Sequence, residues 1–309
     1  MITYLQAVVM GLVQGVTELF PISSLGQAVI LPSLLGWHGL ARVQSRPESF
    51  FLAFLVGLHV ATATALLIYF WDDWRVIIGG FFRTLAGGIQ ARKAPWAVIQ
   101  TGNERIAWLL VVATIPAGLT GLALEHPLRV VFSKPLFAAA FLIVNGVILL
   151  VGEAVRRRTE VAVTAAEHGT QDETEFRRLE TLEFKEAFFV GLAQVFALIA
   201  GISRSGITMV AGLVRGLSHE DAARFSFLLA TPIILAAGVY KLPDLFGPLG
   251  NGIRMQVLVG SLMAGIAAYI SVRFLMNYFT TRTLTPFGVF CLLEGVACLI
   301  FFLATGHRF

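Results

Sequence analysis

The stretch Ala200-Gly201-Ile202-Ser203-Arg204-Ser205-Gly206 interrupts an apolar segment, residues 187–214, at its centre. A second apolar segment, residues 4–35, is interrupted in the same way by Phe20-Pro21-Ile22-Ser23-Ser24-Leu25-Gly26. Each pattern predicts a helix, a break and a second helix. At an offset of 180 residues the segments align without a gap, and Ala7, Gly11, Leu12, Gln14, Ile22, Ser23 and Gly26 match Ala187, Gly191, Leu192, Gln194, Ile202, Ser203 and Gly206. We interpret this match as an internal repeat.

The composition indicates a membrane protein. Of the 309 residues, 57% are hydrophobic and 14% charged, and the mean hydropathy is +0.79. Soluble domains carry about 25% charged residues, so the composition excludes two soluble domains, a disordered chain and a nucleic-acid partner. Crossing a bilayer takes about 20 apolar residues. Six segments meet this requirement: 50–70, 106–124, 135–152, 225–240, 255–272 and 284–306.

The basic residues separate the loops into two sides. One side receives Arg75, Arg83, Arg92, Lys93, Arg105, Arg156, Arg157, Arg158, Arg177, Arg178, Lys185, Arg215, Arg224, Arg273 and Arg282. The other receives only Arg42, Arg46, Arg129, Lys134, Lys241, Arg254 and Arg308. By the positive-inside rule the first side is cytoplasmic, and both termini then lie outside. Residues 154–185, of mixed charge, are expected to form a soluble cytoplasmic loop.

Broken backbone at membrane depth is tolerated only where it is buried in protein or lines a wet cavity. We therefore expect two re-entrant hairpins, at 4–35 and 187–214, which the loop order places on opposite sides of the bilayer. The predicted fold is an all-α polytopic membrane protein, one integral membrane domain over residues 1–309, with an inverted-topology repeat. The site of such a repeat is expected near the membrane midplane.

Each broken segment contains one charged side chain, Glu18 in the first and Arg204 in the second. A charge inside a membrane segment costs about 2.5–3.5 kcal/mol and marks a candidate functional site, the alternative being a structural ion pair. Gln14 lies one helical turn before Glu18, on a face shared with two glycines, and both polar groups are expected to face a cavity.

Hydroxyl side chains surround Arg204 and are expected on the facing break. They are Ser203, Ser205 and Thr208 in the second segment and Ser23 and Ser24 in the first. One or two serines in such turns serve as helix caps, but a guanidinium, several hydroxyls and a helix N-terminus together favour a phosphate-sized anion. The residues leave two alternatives, a lipid phosphate substrate and a transported anion.

At these residues the chain resembles the undecaprenyl-diphosphate phosphatases, the bacitracin-resistance family. Residues 14–26 are similar to the family's (E/Q)xxxE motif and its P-x-S-S-x-G-H continuation, and residues 201–208 to its P-G-x-S-R-S-x-x-T motif. Further similar segments are 58–62, 113–118, 223–230 and 285–287, so the likeness covers nearly the whole chain.

The resemblance implies a multi-pass hydrolase of the bacterial inner membrane. Such an enzyme converts undecaprenyl diphosphate to undecaprenyl phosphate, recycles the carrier lipid for peptidoglycan synthesis and confers bacitracin resistance, with its active site toward the periplasm. It implies that Glu18, Ser24 and Arg204 are catalytic. Gln14, Ser23, Gln27, Ser203, Ser205 and Thr208 would bind substrate, and Glu18 with Gln14 would hold Mg²⁺ or Ca²⁺.

Three residues depart from the family pattern. Gln27 replaces a histidine, and an amide cannot act as a general base. Ala200 replaces a proline, and Cys291 an arginine, while Glu294 follows one turn later and implies a polar partner or a wet cavity. If Gln27 has replaced a base, the proton must pass to Glu18, to His59 or to metal-bound water.

Two other functions remain open at the level of sequence. They are a prenyl-phosphate transporter or flippase, because inverted repeats are typical of transporters, and a phosphatase acting on a shorter prenyl diphosphate. The pair Gly212 and Gly216 permits helix contacts within one chain or in a homo-oligomer.

Overall fold

The computed structural model describes residues 2–37, 39–40, 50–132, 134–166, 176–247 and 250–305. Within these ranges the chain forms eleven α-helices, three short 3-10 helices and one isolated β-bridge. The α-helices are α1 (Tyr4–Thr17), α2 (Ser24–Leu34), α3 (Phe50–Tyr69), α4 (Trp71–Ala91), α5 (Gly102–Phe132), α6 (Pro135–Ala166), α7 (Phe184–Gln194), α8 (Arg204–Val214), α9 (His219–Phe246), α10 (Arg254–Tyr278) and α11 (Thr285–Thr305). The predicted loop positions Arg42, Arg46, Arg308 and 167–175, and the last residue of the sixth predicted segment, lie outside the described residues.

The six predicted membrane segments are confirmed. In the described chain, α3, α5, α6, α9, α10 and α11 each contain a stretch long and apolar enough to cross a membrane. Large apolar side chains on these helices face outward, among them Leu122 and Leu293, which are 73% and 68% exposed. Such extensive apolar exposure indicates lipid rather than water around the helices. The chain is a multi-pass membrane protein.

Two helices extend into regions that the sequence assigned to loops. Helix α4 lies between the first two membrane segments and buries Trp74, Ile77, Gly80, Thr84 and Gly88, which share one face at helical spacing. Helix α6 continues beyond its apolar part to Ala166, so residues 154–166 of the expected loop are helical. This extension contains alanine, arginine and glutamate, which are favourable residues in a helix.

The basic loops assigned to one side gather at one end of the helices. Polar contacts join α4 to α9, α4 to α5, residue 177 to α7, and α6 to α9. They are Arg224 with Asp73, Arg83 with Glu104 at 3.0 Å, Arg177 with Glu186 at 2.8 Å and His219 with Glu153 at 2.9 Å. These contacts link three of the segments that the charge pattern assigned to the same side of the membrane.

The predicted pattern of helix, break and helix is confirmed in both broken segments. Helices α2 and α8 have eleven residues each, and their first residues are 180 positions apart. The first residues of α1 and α7 are also 180 positions apart. Helix α1 packs against α10, and α7 packs against α5. Gly11 faces the carbonyl of Gly260, and Gly191 faces the carbonyl of Ala113. Both approaches are so close that a Cβ at either glycine would collide with the neighbouring backbone.

Candidate functional site

The two helix breaks are in direct contact through Ser23. Its Oγ donates to the carbonyl of Ile202 at 3.1 Å and accepts from the N–H of Gly201 at 3.2 Å. The same oxygen caps α2 by accepting from the N–H of Gly26. Ser23 has a φ of 64°, a left-handed conformation that costs a non-glycine residue about 1–3 kcal/mol. Three hydrogen bonds offset this strain and hold the breaks together.

Gly201 lets the second break approach the rest of the protein closely. Its φ is +106°, and an added Cβ would meet the carbonyl of Ala138 and the Cβ of Phe141. Both restrictions require glycine. The replacement of the family's proline by Ala200 leaves this turn intact in the structure, since Ala200 is buried and the chain continues into α8.

Asn145 on α6 is a second link between the breaks, and sequence analysis did not identify it. Its Nδ2 donates to the carbonyl of Pro21 at 2.9 Å, and its Oδ1 accepts from the N–H of Ser203, also at 2.9 Å. The side chain is fully buried. In the sequence, the only indication of this role is that Asn145 is a lone asparagine in the apolar segment 135–152.

The carboxylate of Glu18 is the centre of the site. Its Oε1 lies 3.0 Å from the Arg204 guanidinium. Its Oε2 accepts from the Ser24 hydroxyl at 2.6 Å and from the Gln14 amide at 2.9 Å. Glu18 is 6% exposed, so it lies away from bulk solvent and needs these partners. The predicted residues Gln14, Glu18, Ser24 and Arg204 are therefore brought together.

His59 on α3 adjoins the same carboxylate. Its Nε2 lies 3.4 Å from Glu18 Oε2, and its Nδ1 lies 2.8 Å from the carbonyl of Leu55. If Nδ1 donates to this carbonyl, Nε2 faces the carboxylate as the second ring nitrogen. With the ring protonated at both nitrogens, Nε2 donates to Glu18 and the imidazolium stabilises the carboxylate; in the neutral ring with the proton on Nδ1, Nε2 is an acceptor that faces Glu18.

The remaining predicted hydroxyls bond within the second break or, in the case of Ser205, to the first. Ser203 caps α8, Ser205 donates to the Phe20 carbonyl at 3.3 Å, and Thr208 donates to the carbonyl of Arg204 at 2.8 Å. In these contacts they shape the turn that presents Arg204. Ser226 on α9 was not identified as a site residue, although it lies within a family-like segment. Its hydroxyl pairs with Thr208 at 2.7 Å, and its carbonyl accepts from Arg204 at 3.4 Å.

The side chain of Gln27 is directed to α11 and not to Glu18. Its Nε2 donates to Glu294 Oε2 on α11 at 2.7 Å, which supplies the polar partner that Glu294 requires. Among the described residues Gln27 makes no side-chain contact with Glu18 or Arg204.

The donor set around Glu18 fits a divalent cation only together with substrate oxygens. Within the described ranges, no three acidic, histidine or cysteine side chains come together as a metal cage. Mg²⁺ is usually bound through one or two carboxylates together with phosphate oxygens and water. Glu18 supplies a carboxylate, and Gln14, whose Nε2 is directed at Glu18, has its Oε1 as a possible further ligand.

Fold and site together define a class of protein: a polytopic membrane protein with a charged, hydroxyl-rich site where two broken helices meet. Comparison with known proteins identifies the family. The family model "Bacitracin resistance protein BacA" matches residues 7–297. The chain belongs to this family.

Curated relatives resemble the chain over nearly its whole length. An undecaprenyl-diphosphatase of Mycolicibacterium paratuberculosis is 56% identical, with 97% of each chain covered. Undecaprenyl-diphosphatase 2 of Frankia alni is 50% identical, over 97% of this chain and 98% of its own. An undecaprenyl-diphosphatase of Granulibacter bethesdensis is 44% identical, over 96% and 95%.

Proposed function

We propose that this protein hydrolyses undecaprenyl diphosphate to undecaprenyl phosphate and inorganic phosphate. In this role it recycles the carrier lipid for peptidoglycan synthesis and confers resistance to bacitracin. The names of its relatives support this substrate. The observation that carries the chemistry is the Ser24 hydroxyl, 2.6 Å from a carboxylate that also pairs with Arg204. Phosphoryl transfer needs a nucleophile, a proton acceptor and a cationic group. Ser24, Glu18 and Arg204 would supply these three groups in one set of contacts.

In the proposed mechanism the Ser24 oxygen bonds to the terminal phosphorus, the bond from this phosphorus to the bridging oxygen breaks, and undecaprenyl phosphate leaves with the proton that Glu18 passes on from the hydroxyl. Glu18 takes the hydroxyl proton, since the hydrogen bond between them already has the geometry of proton transfer. Arg204 then neutralises charge on the transferring phosphoryl group, and its planar guanidinium can bind two phosphate oxygens at once. When Glu18 holds this proton, Nε2 of a neutral His59 would accept a hydrogen bond from the carboxyl O–H.

The N-termini of α2 and α8 would bind the diphosphate. They begin at Ser24 and Arg204, and the breaks before them touch through Ser23. Helix N-termini attract anions because their first N–H groups and the helix dipole are directed at the ligand. Ser203, Ser205 and Thr208 support this arrangement by holding the turn before and within α8.

A divalent cation, Mg²⁺ or Ca²⁺, is part of the proposal. Glu18 and the Gln14 amide oxygen would hold it, and it would neutralise charge on the phosphate oxygens.

We further propose that the broken segments are re-entrant hairpins of an inverted repeat. The packing of α1 on α10 and of α7 on α5, with Gly11 and Gly191 each against a backbone carbonyl, supports this relation. The charge of the loops favours a cytoplasmic location for the basic end of the helices. Both termini and the site entrance would then face the periplasm, in the inner membrane.

The proposed function is tested by phosphate release from undecaprenyl diphosphate by the purified chain, with Mg²⁺, with Ca²⁺ and with chelator. Arg204→Ala and Ser24→Ala are expected to lose at least about 100-fold in kcat/KM, because each removes a group that acts in the transition state. Arg75→Ala and Ser33→Ala are the matched controls. Arg75 is an exposed arginine, and Ser33 belongs to α2 but bonds to its own helix.

Two results would contradict the proposal. One is activity in Arg204→Ala equal to that of Arg75→Ala. The other is movement of the lipid across proteoliposomes without phosphate release, which a flippase would show. A parallel assay with a shorter prenyl diphosphate measures chain-length preference.

A further inference from the structure

Glu294 is the one charged side chain of α11, and it lies near the middle of that apolar helix. Two neighbours, Cys291 and Gly295, are buried, and Gly295 packs against α6. Glu294 instead reaches α2, where its Oε2 accepts from Gln27 Nε2 at 2.7 Å. A charge at this depth is costly and is rarely retained without a role. Its partner is a neutral amide, so charge neutralisation is not that role.

The pair determines which way the amide of Gln27 is turned. Because its Nε2 donates to Glu294, Gln27 directs its Oε1 away from that carboxyl group. Within the described chain no group donates to this Oε1. Gln27 follows Ser24 by three residues in α2, and residues at this spacing are neighbours on a helix surface. The contact with Glu294 therefore orients a side chain that neighbours, on the same helix, the hydroxyl that donates to Glu18.

We propose that Glu294 is a positioning residue, holding Gln27 so that its Oε1 accepts a hydrogen bond from the water that releases phosphate. The proposal rests on the phosphatase function above. In that step the water oxygen bonds to the phosphorus of the phosphoserine, and the bond from phosphorus to the Ser24 oxygen breaks. The water's proton passes through Glu18 to Ser24, and inorganic phosphate leaves. Gln27 takes no proton, because a side-chain amide orients water without acting as a base, as in other phosphoryl-transfer enzymes.

The test is steady-state phosphate release by the full chain in detergent, with Glu294→Gln, Gln27→Ala and the double variant. Glu294→Gln removes the acceptor-only partner and lets the Gln27 amide turn. We expect each single variant to lower kcat about tenfold, the loss typical of a missing supporting contact. KM should fall in parallel and leave kcat/KM near that of the parent, because only the water-dependent step after phosphoryl transfer is slowed. The double variant should be no slower than the singles, since both remove the same oriented oxygen.

Two further measurements separate positioning from support of the fold. Glu294→Asp keeps a carboxylate and should restore part of kcat, while Cys298→Ala on the same helix should match the parent. Both single variants should accumulate protein-bound phosphate from labelled substrate, because the water-dependent step is slowed. A structural contact would lower the unfolding temperature without these changes.

The outcomes distinguish this proposal from the function on which it rests. If Glu294→Gln retains the parent's kcat while Arg204→Ala is inactive, the positioning role is wrong and the phosphatase stands. Multiplicative losses in the double variant, or no gain in protein-bound phosphate, would also overturn it. If the parent releases no more phosphate than Arg204→Ala, the proposed function fails, and this inference fails with it.

Discussion

Among single residues, Asn145 joins the two breaks from outside both broken segments. It donates to the Pro21 carbonyl in the first break and accepts from the Ser203 N–H in the second. Both breaks are therefore aligned on α6. The distance between Glu18 and Arg204 depends on this alignment, because Glu18 lies just before the first break and Arg204 lies in the second.

We expect Asn145→Ala to lower the free energy of unfolding by about 2 kcal/mol, because it leaves a buried carbonyl and a buried N–H without their partner. Activity should fall as well, since the breaks would no longer be held in register. Unfolding in detergent measures the first effect and phosphate release the second. Asn277→Ala, at an exposed position of α10, is the control. Equal stability of the two variants would contradict the linking role of Asn145.

At the level of helices, close contacts between α1 and α10 and between α7 and α5 position the broken segments. Gly11 and Gly191 occupy matching positions in the repeat, and each faces a backbone carbonyl of its neighbour. Backbone cannot move aside as a flexible side chain can. These two glycines therefore set how closely the broken segments pack.

Gly11→Ala and Gly191→Ala are expected to lower stability by about 1–3 kcal/mol each, as overpacking does. Gly118→Ala and Gly121→Ala in α5 are the controls, because an added Cβ there meets no atom within 4 Å. These controls should gain up to about 1 kcal/mol from better helix propensity. Unfolding free energies of the four variants in detergent give the comparison. A change in unfolding free energy of the same sign in both pairs of variants would contradict the packing argument.

The segment before α7 is attached by the pair of Arg177 and Glu186, with oxygen and nitrogen 2.8 Å apart. Hydrogen bonding to Arg177 holds the pKa of the Glu186 carboxyl below its usual value of 4.5. A carboxyl whose pKa is lower in the folded state stabilises the protein above its unfolded pKa, and this contribution is lost as pH falls through the folded value.

Glu186→Gln should therefore lose about 1 kcal/mol or less at neutral pH, since Arg177 is partly exposed and solvent screens the pair. The difference from the parent should shrink as the pH falls below the usual carboxyl pKa and vanish below the lowered pKa of the folded state. Unfolding measured as a function of pH tests this expectation. Asp72→Asn removes an almost fully exposed carboxylate and should differ little from the parent at any pH. A difference for Glu186→Gln that is independent of pH would contradict the assignment.

The sequence predicts the elements better than their contacts. The six spans and two breaks could be predicted because apolar length and the residues around Pro21 and Gly201 are local signals. The pairing of Glu18 with Arg204 follows from two isolated charges that need partners. Asn145, Ser226 and the partner of Glu294 could not be predicted, because their contacts depend on how separate helices pack. Likewise, residue type alone does not distinguish a serine that caps a helix, such as Ser203, from one that adjoins the carboxylate, such as Ser24.

For the whole molecule, the gathering of basic loops at one end leads to a prediction about orientation. Lys93 follows α4 at that end, whereas Asn251 precedes α10 at the other, and both are exposed. Asn251→Cys should react with a membrane-impermeant maleimide in intact cells, and Lys93→Cys only after lysis. The two native cysteines, Cys291 and Cys298, are buried and provide the unlabelled background. The reverse labelling pattern would place the basic end outside and contradict the proposed orientation.

The ion pair between Glu18 and Arg204 also constrains how the protein is made. Its two members are 186 residues apart. At a synthesis rate of about 5–20 residues per second, the arginine emerges about 10–40 s after the glutamate. During that time the glutamate has no guanidinium partner, and a lone charge opposes burial among lipid chains. Until then the hydrogen bonds from Gln14 and Ser24 are the local contacts available to this carboxylate. The complete site therefore forms only after about two thirds of the chain has been synthesised.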